Sequence, residues 1–457
     1  MTALAWGSAA ARQLAAAGAV LTWLLLCAGV WGTRWRARRR QAPGRVVPGA
    51  AQPVLVAYAS QTGFGEQLAR QTADVLHAAG VPARLHVLSQ VTVDHLAATE
   101  RALFIVSTCG EGDAPDNASL FVRRLMAAAV ALPSLHYGVL ALGDREYKQF
   151  CGFGRTLDAW LGAAGASPLF ERIEVDNADD KALADWRHRL SHLAGTTDLP
   201  DWQAPAWEPW RLLVRTHLND GSAGGPTYHL ELAPMPGGTA EWASGDLVQV
   251  RAPAELQRPR EYSIASIPAD GRVHLLVRQE RRADGSLGTA SGWLTQGVAV
   301  GAAIDLRLRP HANFRLGDNA ERPLILIGNG TGIAGLRGHL RARAARGLGR
   351  CWFVFGERQA AFDAYYRGEI EAWLAAGLLG RADLVFSRDQ PERLYVQDRL
   401  RMKADAVREW INDGAAVYVC GSLQGMATGV DKALVDILGQ PAVDGLMAQG
   451  RYRRDVY

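Results

Sequence analysis

Apolar and polar positions fall into two rhythms along this chain. Over 53–195, the apolar runs "PVLVAYAS" (53–60), "ALFIVST" (102–108) and "YGVLALG" (137–143) are each followed by a polar loop and a helically spaced stretch, the first at 64–79. Runs that are apolar throughout are strands buried on both faces. Their alternation with helices predicts a doubly wound parallel sheet. From 207 the rhythm changes: "WRLLVRTHL", "TYHLELA" and "GDLVQVRAP" alternate residue by residue. That period of two predicts an antiparallel β-barrel. "LILIGNGTGIAG" (324–335) is again an apolar strand, running into a glycine turn, and "VYVCGS" (417–422) ends another. The expected fold class is α/β, with two parallel-sheet domains (53–195 and 319–457) around a barrel (207–318) and a linker at 196–206.

The N-terminal pattern differs from all of these. Residues 14–32 carry no charge, and five arginines follow: Arg34, Arg36, Arg38, Arg39 and Arg40. At about 1.5 Å per residue this stretch just crosses a hydrocarbon core of about 30 Å. The positive-inside rule then puts the rest of the chain in the cytoplasm. A secretory signal would carry its charge before the apolar run, not after it. The expectation is an uncleaved transmembrane helix at 14–32, a basic stalk at 33–52 and an inner-membrane location. The span holds no His and no acid, so it offers no haem ligand.

Composition adds a charge asymmetry. Residues 1–50 hold seven Arg and no acid, whereas 51–200 hold 12 Lys/Arg against 17 Asp/Glu. The acidic segment could steer a basic partner, or be ordinary solvated helix faces. The five cysteines, Cys27, Cys109, Cys151, Cys351 and Cys420, form no CxxC pair. Zinc and iron–sulfur sites are therefore not expected, and a reducing compartment suits the odd count. Neither a metal nor a nucleic-acid partner is expected.

In a parallel sheet the ligand sits at the carboxyl ends of the strands, and three loops lie there. In "SQTGFGE", Ser60, Gln61 and Thr62 offer polar donors, while Gly63, Phe64 and Gly65 lead into a helix N-terminus where backbone can close on an anion. "STCGEGDAPDN" contributes Ser107, Thr108, Cys109 and Gly110. "LGDREYKQFC" contributes Leu142, Gly143, Asp144, Tyr147, Phe150 and Cys151. Each could be a plain connection, but a phosphate site with two loops around a planar ring fits FMN.

In the second half, Arg260-Glu261-Tyr262-Ser263 is followed about 25 positions later by Gly288-Thr289-Ala290-Ser291. An aromatic suits a flat ring and a guanidinium suits a pyrophosphate. "IGNGTGIAG" places Gly328, Gly330, Thr331 and Gly332 where a dinucleotide must approach backbone. "FSRDQPERLYVQDRL" offers Ser387, Arg388, Arg393, Tyr395 and Gln397; two cations and a hydroxyl are what a phosphate monoester needs.

With these motifs in this order, residues 53–195 resemble a flavodoxin domain and 207–457 resemble the ferredoxin–NADP reductase module. The whole of 53–457 is similar to the diflavin reductases, which include the sulfite reductase flavoproteins. The resemblance implies FMN, FAD and NADPH as cofactors, an FAD-binding barrel and a Rossmann-like NADP domain. It implies that Arg260 binds the FAD pyrophosphate, Tyr262 stacks on the isoalloxazine, and Ser263 faces the flavin N5. It further implies that "GTAS" holds the pyrophosphate, that Ser387, Arg388 and Arg393 surround the 2′-phosphate, and that Tyr395 lies on the adenine with Gln397 nearby. Cys420 and Asp455 would flank the nicotinamide, and Tyr457 would shield the FAD ring. Relatives usually carry proline where Asn329 and Gly335 stand, an acid at Gly429, and a larger side chain, often tyrosine, at Cys109.

The implied activity is NADPH–haemoprotein reduction, with electrons passing NADPH to FAD to FMN to a haemoprotein or other one-electron acceptor. The alternatives are a flavoprotein subunit of a sulfite reductase-type complex, and a flavin-binding sensing or docking module. One absence stands out. Relatives insert a helical connecting domain before the RxYS motif, whereas Asp246 and Arg260 are 14 positions apart here.

Overall fold

The computed structural model describes residues 52–177, 179–195, 206–235, 241–256 and 259–457. The first sheet is parallel. Its strands are β1 (Val54–Ala59), β2 (Ala83–Val87), β3 (Arg101–Ser107), β4 (His136–Gly143), β5 (Ser167–Pro168) and β6 (Ile173–Asp176), in the order β2-β1-β3-β4-β5, with β6 also paired to β4. Its apolar runs divide between two cores. Leu55, Ala57 and Ala59 pack on one face with Phe104, Phe121 and Leu157. Val54 and Val56 pack on the other with Leu68, Leu76 and Trp186. Two-sided burial is the reason these strands read as continuous rather than alternating.

The second sheet is antiparallel and six-stranded. It comprises β7 (Glu208–His217), β8 (Thr227–Pro234), β9 (Leu247–Val250), β10 (Arg260–Ser263), β11 (Val273–Arg278) and β12 (Ala303–Arg309), in the order β10-β9-β12-β7-β8-β11. Trp210 and Leu212 point into its core with Leu230, Leu232 and Val248, which accounts for the period of two. Among the described residues the hydrogen-bonded pairs run from β10 to β11 as one antiparallel sheet, the pairing expected of the FAD-binding segment.

The third sheet is parallel, with β13 (Leu324–Asn329), β14 (Cys351–Glu357), β15 (Leu379–Phe386), β16 (Ala416–Gly421) and β17 (Tyr452–Val456) in the order β15-β14-β13-β16-β17. Leu324 and Leu326 face one core and Ile325 and Ile327 the other. The last strand, β17, therefore ends beside β16, and its registry sets Asp455 opposite Cys420.

The membrane reading is corrected. No helix among the described residues is long and apolar enough to cross a membrane, so the inner-membrane location does not stand. The apolar stretch at 14–32 and the basic stalk lie outside the described residues, as do positions 196–205 of the linker.

Candidate functional site

The three loops of the first sheet converge, as carboxyl-end loops of a parallel sheet must. Thr62, Phe64, Ser107, Thr108, Gly110, Leu142, Gly143, Asp144, Tyr147 and Cys151 line one cavity of about 330 Å³, within the usual size for a small-molecule site. Its opposite wall comes from the second sheet: Gln249, Pro259, Arg260, Glu261 and Arg309. Two polar atoms among these residues, Thr108 Oγ1 and Arg309 Nη2, are buried without a partner. Buried donors are rarely left unpaired, so the cavity fits a polar ligand such as FMN.

The other predicted residues of this group sit elsewhere. Ser60 Oγ accepts from the Gly63 and Gly65 amides at 3.0 and 3.1 Å, so the loop's own serine takes up two donors expected for an anion. Gly63 has φ 85°, and a Cβ there would lie 3.1 Å from Pro310 O. Gln61 turns away from the cavity. Its Nε2 donates to Asp116 Oδ2 and to Arg454 O, and its Oε1 accepts from the Asp116 amide. Cys109 Sγ faces Gln61 Oε1 at 3.8 Å, so Cys109 belongs to the seam with β17 rather than to the ring cover. Phe150 is buried behind Gly143, where a Cβ would meet its ring at 3.1 Å. Cys151 adopts φ 53° at the start of the helix Gly152–Ala163; burial, reinforced by Glu174, pushes its thiol up to about 12.

On β10, Arg260 forks onto Glu146 of the third loop at 3.0 and 2.8 Å. The guanidinium thus bridges the first and second sheets. Glu261 Oε1 accepts from Gln249 Nε2 and Arg309 Nη1 at 2.8 and 2.6 Å. Tyr262 packs on the apolar core of the second sheet, and burial raises its hydroxyl pKa. Gly288 caps the short helix Thr289–Gly292, and a Cβ there would come within 2.7 Å of Ser291 Oγ, which accepts from the Glu280 amide.

Ser263, Cys420 and Asp455 come together although 192 positions separate the first from the last. Ser263 Oγ donates to Asp455 Oδ2 at 2.7 Å, and Cys420 Sγ approaches the same oxygen at 3.5 Å. All three are buried. Burial and the adjacent Asp455 carboxylate push the Cys420 thiol well above its ordinary value, so it stays protonated as a neutral donor. Gly335, where relatives carry proline, is closely packed here: a Cβ would lie 3.1 Å from the Phe314 ring, 3.2 Å from Cys420 Sγ and 3.7 Å from Asp455 Oδ2. Tyr457 is exposed, its hydroxyl 2.9 Å from Thr331 Oγ1.

A second cavity, about 470 Å³, opens at the end of β13. Gly330, Ser387, Tyr395 and Gln397 line it, together with Arg278 and Arg358. Arg278 Nε and Gln397 Oε1 are buried and unpartnered, which again fits a polar ligand, here a dinucleotide. Gly328 and Gly332 are required by close approach: a Cβ on either would fall 2.7 or 2.0 Å from Cys420 O. Asn329 uses its side chain to accept from the Ser422 amide at 3.0 Å, pinning the turn that proline would have stiffened. At Gly429 a Cβ would lie 2.9 Å from the Gln397 side chain, so the missing acid is matched by a glutamine filling its place. Arg388 and Arg393 do not line this cavity; the Arg388 amide donates to Arg358 O at 2.8 Å.

Arg278, Arg309 and Arg358 were not read from the sequence. Each stands at the end of a strand without a motif around it. The only available signal was an arginine following an apolar run.

Residues 56–188 match the family Flavodoxin, and 326–432 match the Oxidoreductase NAD-binding domain. The chain is 29% identical to the sulfite reductase (NADPH) flavoprotein alpha-component of Vibrio cholerae, over 91% of this chain and 89% of the relative. It is 28% identical to that of Vibrio vulnificus, over 94% and 93%. With that of Neisseria meningitidis the identity is 29%, over 89% and 90%. The V. cholerae alignment runs over 546 positions, more than the 457 residues present here, so part of the relative has no counterpart in this chain. Two parallel-sheet domains flanking an antiparallel sheet, the order of their motifs and this near full-length similarity agree: the chain is similar to the diflavin reductases and is an NADPH-dependent flavin oxidoreductase that uses FMN, FAD and NADPH.

Proposed function

We propose that this chain is the flavoprotein subunit of a sulfite reductase-type assembly, delivering electrons from NADPH to a haemoprotein partner. The observation that carries the reading is the buried Ser263–Asp455–Cys420 cluster, made where β10 of the second sheet meets β16 and β17 of the third. The bound flavins supply the conversion of a hydride into single electrons. Asp455 fixes Ser263 Oγ and Cys420 Sγ in one orientation, so neither hydroxyl nor thiol is free to turn. Tyr457, tethered to Thr331, offers an exposed aromatic face for a flat ring. For a 2′-phosphate, Ser387 offers a hydroxyl and Arg358 a cation from the cavity wall, while Arg388 and Arg393, which do not line it, would have to turn inward to add theirs. Tyr395 offers the adenine its face. Arg260 and the Gly288–Ser291 turn hold the FAD pyrophosphate.

Glu146, Arg260, Gln249 and Arg309 stand around the FMN cavity, so the two flavin sites share a wall. That supports direct transfer within one chain. That the relatives are sulfite reductase flavoproteins favours sulfite reductase chemistry over a general haemoprotein acceptor. The test is to mix the purified chain with a sulfite-reducing haemoprotein component under NADPH. NADPH-dependent sulfite reduction supports the proposal. Dye reduction with no electron delivery to that component contradicts it.

A further inference from the structure

The turn leaving β12 runs along the FMN loop. His311 Nε2–H donates to Gln61 O at 2.7 Å, Asn313 Nδ2 donates to Ser60 O at 2.6 Å, and Pro310 O sits against Gly63. Arg309 begins this turn. Its guanidinium lies 5.0 Å from the Phe64 ring centroid, at the loop end of the cavity. The side chain is about nine-tenths buried, Nη1 is bonded to Glu261, and Nη2 has no partner. The loop itself is short of donors, because the Gly63 and Gly65 amides are turned onto Ser60 Oγ. A phosphate monoester brings a charge of about −1.5 to −2. A cation with a free, buried N–H beside that loop is the complement it lacks.

We propose that Arg309, supplied by the second sheet, binds the phosphate of FMN, so that the flavin is held by two domains at once. The inference rests on reading the cavity as the FMN site and adds to it a partner that the loop motif does not contain. Arg309 leaves Glu261 bonded to Gln249 when replaced, which limits collateral damage.

The test compares FMN with riboflavin, which has the same ring and no phosphate. Flavin-depleted full-length chain is titrated with each by fluorescence, for wild type, Arg309→Gln and Arg309→Lys, with FAD content as the check on folding. Losing one charge-assisted hydrogen bond should raise the FMN Kd about 10- to 150-fold in Arg309→Gln and leave the riboflavin Kd unchanged. Arg309→Lys, which keeps the charge and loses the fork, should fall between. Unchanged FMN affinity in Arg309→Gln, or equal losses for both flavins, overturns the inference. Should Arg309→Gln lose its FAD, Arg309→Lys decides alone: FMN weakened with riboflavin unchanged supports it, FMN unchanged overturns it. A wild type that binds neither flavin would instead sink the reading of the cavity itself.

Discussion

Arg454 and Asp116 join β17 of the third sheet to the second FMN loop, and breaking them should let the FMN domain undock. Arg454 Nε meets Asp116 Oδ2 at 2.7 Å, and Nη2 meets Oδ1, a bidentate pair. The two side chains are 17% and 25% exposed. An exposed pair is worth about 0.2–1 kcal/mol, and stranding one partner of a buried pair costs about 3–5 kcal/mol. A partly buried fork lies between, at about 2 kcal/mol, which is roughly a 30-fold change in the docking equilibrium. Asp116 also holds Gln61, so its loss spreads to the loop. The perturbation is Arg454→Ala, and the assay pairs solution scattering with stopped flow after mixing with NADPH. The chain should expand, and electron arrival at FMN should slow, while reduction of FAD keeps its rate. The exchange Asp116→Arg with Arg454→Asp should recover much of the loss. Unchanged scattering and unchanged transfer to FMN would show that this pair does not hold the FMN domain in place.

Other expectations follow from the same geometry. Cys420→Ala should slow FAD reduction in stopped flow with little change in NADPH affinity, and Cys420 in the folded protein should resist alkylation at neutral pH because burial and Asp455 keep it a thiol. Ser387→Ala and Arg388→Ala should each lower the NADPH-to-NADH ratio of kcat/KM, by about 10- to 150-fold for a charge-assisted contact; steady-state kinetics with both nucleotides checks this. His274 accepts from Arg337 Nη1 at 3.2 Å, and burial, His229 and Arg337 hold it down to about 4. The unfolded chain binds this proton near 6.5, so stability is full above that pH and falls as pH drops from about 6.5 toward 4. Urea midpoints across that window should fall less steeply in His274→Gln than in wild type.

The sheets were legible because burial on two faces or one leaves its period in the sequence. Leu324–Ile327 read as a strand for the same reason they split between two cores. The loops at strand ends were legible because glycine and small polar residues mark close backbone approach, as at Gly328 and Gly332. Gln61 and Cys109 were misplaced for a physical reason. Both carry the right chemistry for a flavin loop, but a partner 393 positions away, Arg454 O, claims Gln61. Contacts between domains have no period and no motif. Arg309 and His311 therefore stayed invisible until β12 and the FMN loop were side by side.

In the proposed route electrons leave through FMN, reached from FAD inside this chain. The most direct measurement removes FMN alone and follows NADPH oxidation with two acceptors. Ferricyanide reduction should persist in the FMN-depleted chain, while delivery to the haemoprotein component should be lost and return when FMN is added back. Equal delivery to the haemoprotein with and without FMN would mean that electrons bypass FMN.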